Sequence, residues 1–229
     1  MVQCATNSVR VVILISGRGT NMQALVRAVQ DEHLPIEILA ILSNRADAGG
    51  LAWARAQGLP TRILAHRDYE NRAAFDAALQ AWLDDLAPDF ILLAGFMRVL
   101  GPDLANRFAG RIINIHPSLL PAFPGLHTHA QALAQGVQWH GCSVHFVTPV
   151  LDHGPIIAQG VIPVLADDTP DTLAARLLPV EHAIYVQVLR WLAQGRVCLR
   201  DDGRVQITGQ PHRAWLEATQ YSPEPHDSI

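Results

Sequence analysis

Cysteine is scarce in this sequence and badly placed for structure. Cys4, Cys142 and Cys198 are the only three in 229 residues, far apart and without the close pairing of a metal or redox site. That excludes a disulfide framework and fits a reducing cytoplasm. Charge is sparse too, 17% of residues with a net −4, so no broad basic face is available to neutralise nucleic-acid phosphates. No apolar run approaches the roughly 20 residues that span a bilayer, and the opening MVQCATNSVR lacks the apolar segment of a secretion signal. Metal-ligand spacing is also missing. His127 and His129 are one residue apart, and His116, His140, His145 and His153 spread over the same half, without the cysteines or tightly spaced carboxylates that would complete a site. No metal is expected.

What the chain does have is apolar residues, 49% of the total, enough to bury a large core. Short β-branched runs alternate with Ala- and Leu-rich helical stretches. The spacing predicts strands at Val11–Ser16, Ile36–Leu42, Thr61–Leu64, Asp89–Leu93 and Arg111–Ile115, and helices at Asn21–Val29, Ala48–Gln57 and Glu70–Leu86. This is the pattern of an α/β fold, an open, mostly parallel, Rossmann-like sheet with helices on both faces. After residue 115 the rhythm changes. A Pro- and His-rich loop, His116–Thr128, precedes a helix at His129–Gln135, strands at Trp139–Thr148 and Pro155–Val164, a long helix at Thr169–Gln194 and a hairpin around Asp202-Gly203. No repeat or linker divides the chain, so 1–229 reads as a single domain with a frayed polar tail at 221–229. The five tryptophans fall mostly at core spacing, so core or interface packing is expected for them.

Ligands of open α/β sheets sit beyond the carboxyl ends of the strands. One segment there is ISGRGTNMQAL, where two glycines permit a tight turn and Thr20 and Asn21 can cap a helix whose free N–H groups favour an anion. It is neither a dinucleotide fingerprint nor a Walker A loop. Alone, it fits an ordinary strand–helix turn as well as a phosphate cradle. A second segment is RIINIHPSLLP. Asn114 and His116 are two apart and so share one face of a strand end, Pro117 ends the ladder, and Leu120–Pro121 is a candidate cis bond. An amide and a protonated imidazole are suitable donors to the oxyanion of an acyl transfer. Asp152, in the turn VLDHGP, is a candidate acid–base partner, and a carboxylate near His116 would favour its charged form. Each residue also has a plain structural reading, Asp152 as a turn former above all.

The long string INIHPSLLPAFPGLHTHAQAL, followed by GCSVHFVT and LDHGPII, resembles the folate-dependent formyltransferases. ISGRGTN, AGFMRVL and EHAIY, in that order, resemble the glycinamide ribonucleotide branch of that family. The resemblance covers roughly Val9 to Trp215. It implies a formyltransferase-type fold with a nucleotide-binding half at about 9–110 and a folate and catalytic half at about 111–200. The implied reaction is direct formyl transfer from 10-formyltetrahydrofolate, a co-substrate, to the amine of glycinamide ribonucleotide, without a metal or covalent intermediate. The same resemblance assigns Asn114, His116 and Asp152 to catalysis. It assigns Gly19, Thr20, Asn21, Met22 and Gln23 to the ribonucleotide phosphate, and Glu181 to the ribose. The folate positions it implies are Arg72, the backbone of Met97, Arg98, Val99 and Leu100, then Asn114, and the loop Thr148, Pro149, Val150, Leu151 and Asp152.

Four residues depart from the family pattern: Arg18 in the phosphate loop, Pro149 and His153 in the folate loop, and Leu178 where some members carry a cation. These bear on affinity and pH profile. The partners expected are small molecules, with no nucleic acid and no membrane, and a homodimer stays open. Competing readings are a formyltetrahydrofolate hydrolase, a methionyl-tRNA formyltransferase, an amino-sugar formyltransferase and a non-catalytic folate- or nucleotide-binding module. The first two generally carry an additional domain, and the phosphate loop argues against the amino-sugar reading. A mere binder has no need of Asn114, His116 and Asp152 together. A nucleophilic route through Ser118 or Cys142 lacks the GxSxG elbow.

Overall fold

The computed structural model describes residues 8–209 and 215–217. Its strands are β1 (Val9–Ile15), β2 (Ile36–Ser43), β3 (Thr61–Ile63), β4 (Phe90–Leu93), β5 (Ile112–His116), β6 (Trp139–Phe146), β7 (Ile156–Pro163), β8 (Val197–Leu199), β9 (Val205–Ile207) and β10 (Trp215–Glu217). Eight of them form one sheet in the order β10-β7-β6-β5-β4-β1-β2-β3, and β8 and β9 pair as a separate hairpin. The sheet is mostly parallel. Only β6 runs against its neighbours β5 and β7.

The helices are α1 (Thr20–Asp31), α2 (Gly49–Ala56), α3 (Arg72–Leu86), α4 (Pro102–Arg107), α5 (Thr128–Ala134) and α6 (Pro170–Ala193). The two-residue period of β1 divides the core between them. Val11, Ile13 and Ile15 face α1, α2 and α6, packing with Met22, Leu25, Leu51 and Tyr185. Val12 and Leu14 face α3, packing with Phe75, Leu79 and Leu83, alongside Leu104 of α4. Because both faces are covered, the strand sequences are almost continuously apolar rather than alternating.

Elements expected from periodicity appear within two residues of their expected ends. Three others do not show in the sequence pattern, the short strand β10 among them. Gly101-Pro102 reads as a turn, yet Pro102 starts α4, where its missing N–H breaks no helical bond. The 3₁₀ turn at His66–Asp68 is too short for any periodicity. Of the core or interface packing expected for the tryptophans, Trp139 does not take the core alternative, being 60% exposed at the start of β6. The tail expected to fray, 221–229, lies outside the described residues. Among those described, no helix is long and apolar enough to cross a membrane.

The chain leaves β1 for β2 and β3 on one side and returns to β4 on the other. That reversal opens a crevice beyond the carboxyl ends of β1 and β4, where ligands of such sheets bind. Three segments converge along this edge: Gly17–Gly19 after β1, Ala94–Leu100 after β4, and Pro117–His127 after β5.

Candidate active site

The loop after β1 closes on Gly19, which starts α1 in the left-handed region at φ 67°, a conformation that glycine adopts without strain. Thr20 and Asn21 do not cap the helix, contrary to expectation: Gly19 holds the cap position and no side chain bonds the first turn. Asn21 is turned elsewhere. Its Nδ2 donates to Glu181 Oε2 of α6 at 2.8 Å, while its buried Oδ1 has no partner. Burial pushes the Glu181 carboxyl up, and the Asn21 bond opposes that shift. The uncapped helix start is a ready anion site beside a buried amide–carboxylate pair. Arg18 is exposed, and Leu178 is half-buried on α6.

The end of β5 presents Asn114 and His116, and the turn after β6 brings Asp152 to them. His116 Nδ1 lies 3.5 Å from Asp152 Oδ2, and His116 Nε2 donates to the Phe123 carbonyl at 3.0 Å. One ring nitrogen thus bonds a carbonyl while the other faces the Asp152 carboxylate. Asp152 Oδ2 also accepts from the Gly125 amide at 2.9 Å, so the carboxylate ties the β5 loop to the β6–β7 turn. His145 completes the group. Its Nδ1 donates to the Phe146 carbonyl at 2.9 Å, leaving Nε2 to accept from Asn114 Nδ2 at 3.3 Å. Burial lowers the His145 pKa, which favours this neutral form. Asn114 is therefore fixed with its amide N–H₂ between His145 and the crevice.

Three non-glycine residues here are left-handed: Phe123 at φ 54°, His127 at 59° and Asp152 at 53°. Such strain costs about 1–3 kcal/mol per residue and persists where surrounding bonds over-determine it. Ser143 supplies several of those bonds. Its Oγ accepts from Leu120 N–H at 3.0 Å and from Gln159 Nε2 at 2.9 Å, and donates to the Ser118 carbonyl at 2.7 Å. Leu120–Pro121 is cis.

Exposed apolar side chains stand after β4 and in the turn after β6: Met97 and Val99 are 74% and 48% exposed, and Val150 and Leu151 are 59% and 48% exposed. Thr148 Oγ1 donates to the Val150 carbonyl at 3.1 Å, shaping that turn, and Pro149 and His153 are exposed on it. Arg72 is the first residue of α3, exposed. Among the described residues, no group of three or more His, Cys, Asp or Glu is placed to hold a metal ion.

This arrangement combines an imidazole, an amide donor and a carboxylate in one cluster, on the same sheet edge as an uncapped helix start and exposed apolar side chains. A family model described as formyl transferase matches residues 9–189. The chain belongs to the formyl transferase family. It is 44% identical over 214 residues to phosphoribosylglycinamide formyltransferase from Escherichia coli (strain K12), covering 93% of this chain and 96% of that protein. It is also 43% identical to the trifunctional purine biosynthetic protein adenosine-3 from Bos taurus, over 86% of this chain but 19% of that longer protein. Among solved structures, the phosphoribosylglycinamide formyltransferase from Coxiella burnetii superposes with a TM-score of 0.84 at 46% identity, covering 91% of this chain and 98% of that one.

In this formyl transferase, Asn114, His116 and Asp152 meet in one cluster, and Asn21 meets Glu181. The sequence reads His145 as either an active-site support or a core histidine and does not single out Ser143, Ser16 or Asp76. Ser143 and His145 bond within the cluster and its loop, whereas Ser16 Oγ accepts from the Met97 amide and Asp76 Oδ2 from the Gly101 amide; each sits in a motif that reads as ordinary strand or helix. A polar residue at an otherwise apolar, fully buried position was the one signal available, and Ser143 and His145 both carry it.

Proposed function

We propose that this chain transfers the formyl group of 10-formyltetrahydrofolate to the amine of 5-phosphoribosylglycinamide, a step of purine biosynthesis, in the cytoplasm. The observation that carries this reading is the union of two half-sites at one sheet edge. The uncapped start of α1 with the Asn21–Glu181 pair suits a ribose phosphate, and the His116–Asp152 cluster suits acyl transfer. Gly19, Thr20, Asn21, Met22 and Gln23 hold the phosphate, and Glu181 the ribose hydroxyls. The folate occupies the slot between Met97–Leu100 and Thr148–Asp152, with Arg72 at its mouth. In this reading residues 9–110 supply the nucleotide half and 111–200 the folate and catalytic half of a single domain. The partners are these small molecules, not nucleic acid or membrane, and a homodimer is compatible with them.

The amine nitrogen attacks the formyl carbon and forms the new C–N bond. The formyl oxygen becomes an oxyanion, which replaces the Phe123 carbonyl as acceptor of the His116 Nε2–H and takes a second bond from Asn114 Nδ2. Asp152 holds the imidazolium through Nδ1 and assists removal of one amine proton. The folate nitrogen takes up a proton as its C–N bond breaks, so protons balance and tetrahydrofolate leaves. Such preorganised donors act where charge develops and need no reorganisation at the moment of reaction.

The test follows formyl-folate consumption spectroscopically with and without the ribonucleotide. Turnover that requires the ribonucleotide supports the reading. Turnover without it makes the chain a hydrolase, and turnover only with an amino sugar moves it to that branch. Tight folate binding with no turnover makes it a binding module.

A further inference from the structure

The segment from Met97 to Gly101 carries no regular secondary structure, yet it is held at both ends by side chains from other elements. At its start, the Met97 amide donates to Ser16 Oγ at 2.8 Å, and Ser16 Oγ in turn donates to Asn44 Oδ1 at 2.5 Å. At its end, the Gly101 amide donates to Asp76 Oδ2 of α3 at 2.8 Å. Asp76 is a buried carboxylate, 8% exposed, and its second oxygen, Oδ1, has no hydrogen-bond partner. Arg72, one turn earlier on α3, and Arg98, within the segment, supply the nearby positive charge. The Arg98 guanidinium lies 4.7 Å from the centre of the Phe75 ring, next to Asp76 on the same helix. The fit at Gly101 is close enough that a Cβ there would lie 2.6 Å from Asp76 Oδ2.

We infer that Asp76 is a positioning residue for the folate, setting the backbone of Met97–Leu100 by anchoring Gly101 while Ser16 anchors Met97. The inference rests on the reading that this backbone meets the folate. A segment hung between two fixed acceptors presents its intervening amides and carbonyls in one geometry before any ligand arrives, which lowers the ordering loss on binding. A buried carboxylate is a fitting anchor because its bond to an amide is charge-assisted and short. It is also a burden to the fold: burial pushes the Asp76 carboxyl up, against the Gly101 amide and the two arginines that hold it down. An asparagine would give the same amide an acceptor without burying a charge.

The experiment uses the full chain and a non-reactive analogue of 10-formyltetrahydrofolate, with amide hydrogen exchange over 97–101 and analogue affinity as the two readouts. In the unsubstituted protein the analogue protects these amides. Asp76→Ala is expected to speed exchange at Gly101 and weaken analogue binding by about five- to tenfold, leaving the ribonucleotide KM within about twofold. Asp76→Asn, which retains an acceptor, is expected to recover most of the affinity. Gly101→Ala breaks the same contact from the loop side and serves if Asp76→Ala does not fold. The double variant should be no weaker than the worse single one, as expected for two partners of one contact. If the analogue protects 97–101 but all these variants bind it normally, the role of Asp76 is overturned and the folate reading stands. If the analogue leaves 97–101 unprotected in the unsubstituted protein, the folate reading of this segment falls, and the inference with it.

Discussion

Asn21 and Glu181 are 160 positions apart in the chain and joined by a 2.8 Å hydrogen bond. The bond ties the first turn of α1 to the middle of α6 and so fixes the proposed phosphate loop relative to the residue proposed for the ribose. Asn21→Ala removes this tie and also the bond that opposes the burial of the Glu181 charge. The ribonucleotide KM should rise by about tenfold while the folate KM stays within about twofold. The effect should grow as pH falls, because a Glu181 freed of Asn21 protonates more readily. Steady-state kinetics with each substrate varied in turn checks this, and a larger change on the folate side contradicts the assignment.

The His116–Asp152 pair makes a sharper claim. His116→Ala removes a proposed oxyanion donor and should lower kcat by about 100- to 1,000-fold. Asp152→Asn should fall in a similar range, because an amide neither balances the imidazolium nor accepts the amine proton. Near-normal turnover in either variant overturns the roles. Analogue affinity measured in parallel separates lost chemistry from lost binding.

Much of this site is written in the sequence, and what is missing has a physical cause. Asn114 and His116 follow from the strand period, since two residues apart means one face. Asp152 could be named as a turn residue, but its approach to His116 depends on the register of β6 with β5, where His116 pairs with Ser143. The sheet itself was legible because buried parallel strands leave continuous apolar runs such as VVILI. α4 was not, because six residues starting at Gly-Pro look like a turn. His145 and Asp76 are the instructive cases. Each is a polar residue at a buried position of its element, but only contact in space shows that one orients Asn114 and the other holds Gly101.

Buried neutral histidines should make the fold sensitive to acid. His140 is 1% exposed, and burial, with His129 alongside, pushes its pKa down to about 4. His129 and His145 are lowered in the same direction by burial. A group whose folded pKa lies below its unfolded value binds fewer protons in the fold, so its stabilisation is complete above pH ~6.5 and lost as pH falls toward ~4. For His140 alone the loss across that window is roughly 3 kcal/mol. Urea midpoints measured from pH 7.5 to 4 should decline, and His140→Phe should flatten the slope. Equal slopes in the two proteins would place the acid sensitivity elsewhere.

Ser143 tests whether the strained loop must be held for the chemistry to run. It is wholly buried, and replacing it with Ala leaves the Leu120 amide, the Ser118 carbonyl and one bond of Gln159 unmet. Gln159 still reaches the Leu120 carbonyl at 3.0 Å, so the loss should be partial, about 2–4 kcal/mol, with a Tm lower by roughly 5–15 °C. The consequence for function follows from chain order. Ser118 and Leu120 lead directly into Phe123, whose carbonyl bonds His116 from a left-handed backbone. Releasing 118–122 lets Phe123 relax, so kcat should fall even at temperatures where the variant is fully folded. A lower Tm with unchanged kcat would show that the loop needs its anchors for folding alone, and that His116 is positioned by Asp152 without help from Phe123.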